Sequence, residues 1–213
     1  MEKIGKYHNI EKKELTNKIT FIVHTFKRPN CIKRLLISKE KYYPEIKILV
    51  YDDSEYDRGV SWGRNYLVSK VETPYYILLD DDWIFTPDTK IEKLLYKIEQ
   101  GYDIVAGEMG GKCGKLKKKD GALLRIITTE EPLDWTNNFF IAKKSVTGWR
   151  EELKIGEHFA FFWEHRGRWK IGYEGSCKIK HLQENSPEYN KYRSRSVPLK
   201  MEYFKTQGID RFS

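Results

Sequence analysis

Cysteine is scarce and unpaired in this chain: Cys31, Cys113 and Cys177 are an odd number, and no two stand at a short spacing. That excludes a disulfide framework and points to a reducing compartment. Long apolar runs are missing as well. The opening residues, Met1-Glu2-Lys3-Ile4-Gly5-Lys6, have no apolar stretch of the signal-peptide kind, and no later segment approaches the ~20 apolar residues of a spanning helix. The expectation is a cytoplasmic protein, with peripheral contact as its one route to a membrane. Repeats and low-complexity linkers are also absent, so 213 residues suit one domain, or one domain with a tail.

What is present is globular in kind, with 39% hydrophobic and 14% aromatic residues. Lys and Arg number 39 against 31 Asp and Glu, a net charge of +8. A nucleotide diphosphate, a nucleic acid, an acidic glycan or an anionic membrane would each answer that charge. The surplus is spread along the sequence and forms one dense patch, Lys115 to Lys119, so a dedicated nucleic-acid face is not indicated.

The stretch Tyr75-Tyr76-Ile77-Leu78-Leu79 is an apolar run of strand length that ends on three consecutive carboxylates, Asp80-Asp81-Asp82. Around it the signals alternate. Ile19 to Val23 reads as a first strand, Pro29 opens a helix with Cys31, Leu35 and Leu36 on its buried face, and Ile46 to Tyr51 reads as a second strand ending on Asp52-Asp53. A helix holding Arg64 and Asn65 then leads to the triple-Asp strand. This βαβ order predicts an α/β fold with a mainly parallel central sheet flanked by helices, and ligands of such sheets bind beyond the carboxyl ends of the strands. Adjacent acids at that place repel one another. Mg²⁺ or Mn²⁺ relieves them best, because no Cys or His crowd favours zinc. The plainer alternative is a solvated turn capping the helix at Thr86-Pro87.

Beyond the acids, Pro87 to Gln100 reads as an amphipathic helix and Asp103 to Gly107 as a strand. Gly110 to Asp120 reads as a loop or hairpin, followed by a pairing segment at Leu123 to Ile127 and a strand from Leu133 to Ala142. Glu157 to Arg166 reads as an aromatic-lined helix and Lys170 to Leu182 as a last strand ending near His181. Residues 1–18 are expected to form a loose lead-in, 19–185 the main domain, and 186–213 a tail or lid.

The block from Gly59 to Tyr76 running into Asp80-Asp81-Asp82-Trp83, followed by Asn138-Phe139-Phe140, Glu157-His158 and the strand ending at His181, resembles the β-1,4-N-acetylgalactosaminyltransferases of the ganglioside-synthase type. More broadly it resembles inverting nucleotide-sugar glycosyltransferases of the A fold, a single Rossmann-like domain. The resemblance implies a metal-dependent transfer from a UDP-sugar to a glycan or lipid-linked acceptor. It implies that Asp80 and Asp82 engage the donor ribose and the metal, with Asp81 beside the donor and His181 as a further metal ligand. Thr25, Arg28, Asp52 or Asp53, and the pair Arg64-Asn65 match positions lining the nucleotide.

The chemistry asks for these residue types. A leaving diphosphate needs a divalent cation and a nearby Arg or Lys, and an acid such as Asp52 or Asp53 can accept the imino proton of uracil. Inversion needs a general base within reach of the acceptor hydroxyl. Glu157 is the first choice, since aromatic neighbours would raise its pKa by desolvation, and His158 is the second. Rival readings are a DNA-modifying glycosyltransferase, a nucleotidyltransferase with two metals, and a glycan-binding module that has lost turnover.

Overall fold

The structure is a computed structural model that describes residues 12–110, 113–154, 156–182, 187–194 and 197–212. In chain order its elements are α1 (Lys12–Lys18), β1 (Ile19–Thr25), α2 (Pro29–Tyr42), β2 (Ile48–Asp52), α3 (Val60–Ser69), β3 (Tyr75–Asp80), β4 (Trp83–Ile84), α4 (Ile91–Ile98) and β5 (Ile104–Glu108). There follow β6 (Gly114–Lys119), β7 (Ala122–Ile127), β8 (Phe140–Lys143), α5 (Glu157–Glu164), β9 (Ile171–Lys178), β10 (Lys180–His181), α6 (Pro187–Ser194), α7 (Val197–Thr206) and β11 (Arg211–Phe212).

Alternation along the strands makes the layers. Ile22 of β1 and Leu78 of β3 face one side, where they pack with Leu67 and Val68 of α3, Phe161 and Phe162 of α5 and Phe204 of α7. Their chain neighbours Phe21, Val23, Ile77 and Leu79 face the other side, against Leu35 of α2 and the apolar stripe Ile91, Leu94, Leu95 and Ile98 of α4. The central sheet therefore has both faces covered, as a mainly parallel sheet must. Its order is β2-β1-β3-β8-β5-β9. Only β8 runs against its neighbours β3 and β5, and the other pairs are parallel.

The chain leaves β1 toward β2 on one side and returns to β3 on the other, so the order reverses at β1. Thr25 stands level with Asp52 of β2, and His24 with Asp80 of β3. Three strands thus end together at a topological switch point, where a crevice opens.

Several expectations need correction. Lys12–Lys18 forms α1, inside the stretch expected to be a loose lead-in; residues 1–11 lie outside the described residues. The strand expected over Leu133 to Ala142 begins only at Phe140; before it, Leu133 and Trp135 make isolated bridges. Leu36 is 37% exposed while Leu35 is fully buried, because successive helical residues point about 100° apart. Residues 197–212, within the stretch expected to be a tail or lid, pack on the domain: Phe204 and Ile209 belong to its core, and β11 adds to the β6–β7 hairpin.

Candidate active site

At the carboxyl ends of β1 and β3 lies a cleft of about 690 Å³, lined among others by Arg28, Arg64, Asp80, Asp81, Asp82, Asn138, Glu157, His158 and His181. Two guanidinium groups organise its acids. Arg28, in the turn after β1, donates from Nη1 to Asp81 Oδ1 at 2.6 Å and from Nη2 to Asp82 Oδ2 at 2.7 Å. Arg64, on the buried face of α3, donates from Nη1 to Glu157 Oε1 at 2.5 Å and from Nη2 to Asp80 Oδ1 at 3.3 Å. The helix that carries Arg64 can come this close because of Gly63: a Cβ there would stand 2.3 Å from His24 Cδ2.

Two guanidiniums face four carboxyl groups, and the imbalance is visible in their titration. Burial pushes Asp81 up to about 7, its like-charged neighbours adding to the shift while Thr25 and Arg28 oppose it. Asp80 is also raised, first by desolvation and further by Asp82 and Glu157, against Arg64 and Asn138. Thr25 Oγ1 donates to Asp81 Oδ2 at 2.6 Å, so it orients the acid from behind the cleft.

His181 reaches this group across the small β4–β10 ladder, where it pairs with Trp83, the residue after Asp82. Its Nε2 lies 3.2 Å from Asp82 Oδ2. An octahedral cation with ligands at ~2.1 Å has adjacent ligands about 3 Å apart, so a carboxylate oxygen and an imidazole nitrogen at this separation fit Mn²⁺ or Mg²⁺. Both acids would have to give up contacts to take a cation: Arg28 Nη2 donates to Asp82 Oδ2 at 2.7 Å, while Arg64 occupies Asp80 Oδ1 and Asn138 Nδ2 donates to Asp80 Oδ2 at 2.9 Å. Among the described residues no group of three such side chains is arranged to hold a metal.

Glu157 is the first residue of α5, buried, and follows Gly156 in the left-handed conformation (φ 80°). His158 lines the cleft beside it, its Nε2 hydrogen-bonded to the Thr136 carbonyl and its ring packed on Phe159 and Phe162. A carbonyl only accepts, so Nε2 carries the proton. Burial, then the charge of Arg64, lowers the His158 pKa to about 4, which makes it a weak base. Because the folded-state value lies below the usual one near 6.5, His158 contributes stability that is present above 6.5 and is lost as the pH falls toward 4. His158→Gln should therefore lose less stability than the wild type between pH 6.5 and 5, by roughly 1 kcal/mol per pH unit, in urea melts at the two pH values.

Thr25 stands behind Asp81 rather than in the lining, and three more of the sequence-predicted residues lie away from the cleft. Asp52 is exposed and caps Ser54 through its Oδ1 at 3.0 Å to the backbone N–H. Asp53 is fully buried beneath His24 and accepts the backbone N–H groups of Arg58 at 2.9 Å and Gly59 at 2.7 Å, which shapes the entry to α3. Burial works against its ionised form, but the bonds from His24, Arg58 and Gly59 outweigh it and keep Asp53 below the usual carboxylate range. Asn65 turns away from Arg64 and ties down the segment after β8, donating to the Trp149 carbonyl at 2.8 Å and accepting the Trp149 N–H at 3.0 Å.

Other cleft residues had no separate sequence signal. Asn138 belongs to the block Asn138-Phe139-Phe140, and its Oδ1 is buried without a partner among the described residues, as is Trp135 Nε1. Tyr189 of α6 lies with its ring 4.4 Å from the Arg28 guanidinium, and Arg125, Arg193 and Lys200 also line the cleft. The last three come from β7 and the C-terminal helices.

Residues 54–162 match the glycosyl transferase family 2 profile. The chain is 28% identical to beta-1,4 N-acetylgalactosaminyltransferase 2 of Mus musculus over 91% of its own length and 48% of that protein. It is 27% identical to beta-1,4 N-acetylgalactosaminyltransferase 1 of Rattus norvegicus over 78% of its length and 39% of the relative. The chain thus spans about half the length, or less, of these relatives. In structure it is similar to S. aureus TarS 1-349 in complex with UDP-GlcNAc, with a TM-score of 0.57 at 16% identity, covering 81% of this chain and 60% of that one. That likeness establishes the fold as the glycosyltransferase A kind. No helix among the described residues is long and apolar enough to cross a membrane.

Proposed function

The chain belongs to glycosyl transferase family 2, and from that premise we propose that it transfers a hexose or N-acetylhexosamine from a UDP-sugar to a hydroxyl of a glycan or lipid-linked acceptor, with inversion. The observation that carries this reading is the Arg64 bridge. One buried guanidinium joins Glu157 to Asp80, and so places a candidate base and the acids of the triple Asp in one cleft. The UDP-GlcNAc complex of TarS supports UDP as the nucleotide.

In this reading Glu157 accepts the proton of the acceptor hydroxyl as its oxygen attacks the anomeric carbon, while the bond from that carbon to the diphosphate breaks on the opposite face and its electron pair leaves with UDP. Arg64 holds the Glu157 carboxylate in place by the 2.5 Å bond. Arg28, beside Asp81 and Asp82, offers charge to the departing diphosphate. Asp82 and His181 are the residues that would hold Mn²⁺ or Mg²⁺; when bound, such a cation supplies positive charge against the diphosphate.

Calorimetry with UDP, GDP, CDP and ADP and their sugars, each with and without Mn²⁺, tests the reading. Binding by the uridine series, strengthened by Mn²⁺, is the expected result; a chain that binds none of them is not a transferase of this kind.

A further inference from the structure

The β6–β7 hairpin carries the lysine-rich run Lys115 to Lys119, which the proposed reaction does not use. Its register sorts those lysines by face. In an antiparallel ladder directly paired residues share a face, and neighbours along a strand alternate. Leu116 pairs with Arg125 and Lys118 with Leu123, and Leu116 and Leu123 both belong to the core. Lys118 is tied down on that inner side, its Nζ donating to the Gln207 carbonyl at 2.8 Å. The outer side therefore holds Lys115, Lys117 and Lys119 of β6, opposite Ile126, Leu124 and Ala122 of β7 respectively. On the other flank β11 pairs Arg211 with Ala122 and Phe212 with Leu123, which puts Arg211 outside and Phe212 inside, against the core.

The outer face of this three-stranded sheet thus sets three lysines and an arginine on either side of two aliphatic side chains, with no acid at any of its positions. Lys117, Lys119 and Arg211 are exposed and Lys115 is half-buried. Ile126 is 47% exposed and Leu124 half-buried, so aliphatic surface stands in water between two flanks of cations. None of the four cations is in an ion pair among the described residues. Asp120 is in the turn, and Asp210 stands at the same end, where its Oδ2 would lie 2.7 Å from a Cβ at Gly121. A surface that serves solubility alone intersperses both signs of charge. This one does not.

We infer that the outer face of the β6–β7–β11 sheet docks on an anionic lipid surface. The ammonium and guanidinium groups meet the headgroup phosphates, and Leu124 and Ile126 leave water for the boundary between headgroups and acyl chains. A nucleic acid would engage the cations and leave the two aliphatic side chains without a role, since bases are met by aromatic rings or by hydrogen-bonding side chains. The inner face of the same hairpin bears Arg125 and Ile127, both in the lining of the cleft, so a chain docked in this way holds its cleft beside the membrane. Docking does not depend on which reaction the cleft performs.

The test is cosedimentation of the full chain with vesicles of phosphatidylcholine alone and of phosphatidylcholine with about one-third phosphatidylglycerol. The wild type should bind the anionic vesicles at least roughly tenfold more tightly, and less so as salt is raised. One cation near an anionic leaflet strengthens binding roughly fivefold, so Lys115→Gln, Lys117→Gln and Lys119→Gln combined should cost roughly a hundredfold. Lys33→Gln, Lys90→Gln and Lys178→Gln combined remove the same charge from exposed positions elsewhere and should cost far less. Ile126→Ser should weaken binding several-fold at every salt concentration. UDP affinity and urea melts of these variants should match the wild type. Equal binding to both kinds of vesicle, binding to neither, or equal losses in the two triple variants overturns the inference. Loss of DNA-duplex binding in the first triple variant, in a chain that ignores the vesicles, gives the face to nucleic acid and overturns it too. A wild type that does not bind UDP overturns the transfer reading alone, and the vesicle result still decides the docking.

Discussion

Glu157→Gln should bind UDP as the wild type does and lose sugar transfer by about 10²–10⁴-fold, the contribution typical of a positioned general base. The substitution is close to isosteric. Arg64 Nη1, now 2.5 Å from Glu157 Oε1, can donate equally to an amide oxygen, so the cleft keeps its shape and Asp80 keeps its contact with Arg64. What disappears is the basic oxygen. Single-turnover transfer from UDP-sugar, with UDP affinity measured in parallel, separates the two effects. A Gln variant that turns over at the wild-type rate would move the base elsewhere, and His158 is poorly suited to inherit the role: its Nε2 is hydrogen-bonded to the Thr136 carbonyl and its pKa of about 4 leaves it a weak base near neutral pH. If UDP binding falls together with transfer, Glu157 acts instead through Arg64 and Asp80 as part of the donor site.

Where one short stretch decides the outcome, the sequence was readable. The run Tyr75 to Leu79 is apolar at every position and becomes β3, covered on both faces, with its three acids at the switch point. The stripe Ile91, Leu94, Leu95 and Ile98 has the spacing of a buried helix face and packs as one. Arg28, Arg64, Asp80, Asp81, Asp82, Glu157, His158 and His181 come from distant parts of the chain and line one cleft. Their common location was inferred from the resemblance of an ordered set of blocks, since no local rule joins residues 99 apart such as Asp82 and His181.

The direction of individual side chains was less accessible. Arg64 and Asn65 are adjacent, and composition gives no reason to separate them, yet about 100° of helical rotation sends one to Glu157 and the other to Trp149. Asp52 and Asp53 end a strand whose side chains alternate, so at most one could point inward; the inward one is consumed by the amides of Arg58 and Gly59. The C-terminal residues were the least legible. Helices α6 and α7 have no marked apolar stripe, and what fixes them is contact with remote elements: Phe204 in the core, Tyr189 over Arg28, and β11 beside β7. Lys200 and Arg193 therefore reach the cleft through tertiary packing that no window of the sequence contains.

Asp82→Ala should abolish the part of UDP affinity that depends on Mn²⁺, while the fold survives. Asp82 is the acid proposed to hold the cation with His181, whose Nε2 lies 3.2 Å from its Oδ2; the cation would displace Arg28 Nη2, now 2.7 Å from that oxygen, and an imidazole alone is a poor site for a hard cation. Removing one partner of a buried ion pair typically costs about 3–5 kcal/mol. Here the cost is expected to be smaller, because Arg28 keeps Asp81 at 2.6 Å and the repulsion among three adjacent acids is relieved. Calorimetry of UDP binding with Mn²⁺ and with EDTA, beside a urea melt, reads both quantities. The wild type should bind UDP at least roughly tenfold more tightly with Mn²⁺, a difference of about 1.4 kcal/mol, and the variant should bind it equally weakly in the two conditions. A variant whose affinity still rises with Mn²⁺ would place the cation at Asp80, which requires Asp80 to give up its contacts with Arg64 and Asn138. Asp80→Asn distinguishes these arrangements: it leaves the Asp82–His181 pair intact, so its Mn²⁺ response persists if that pair holds the cation and vanishes if Asp80 does.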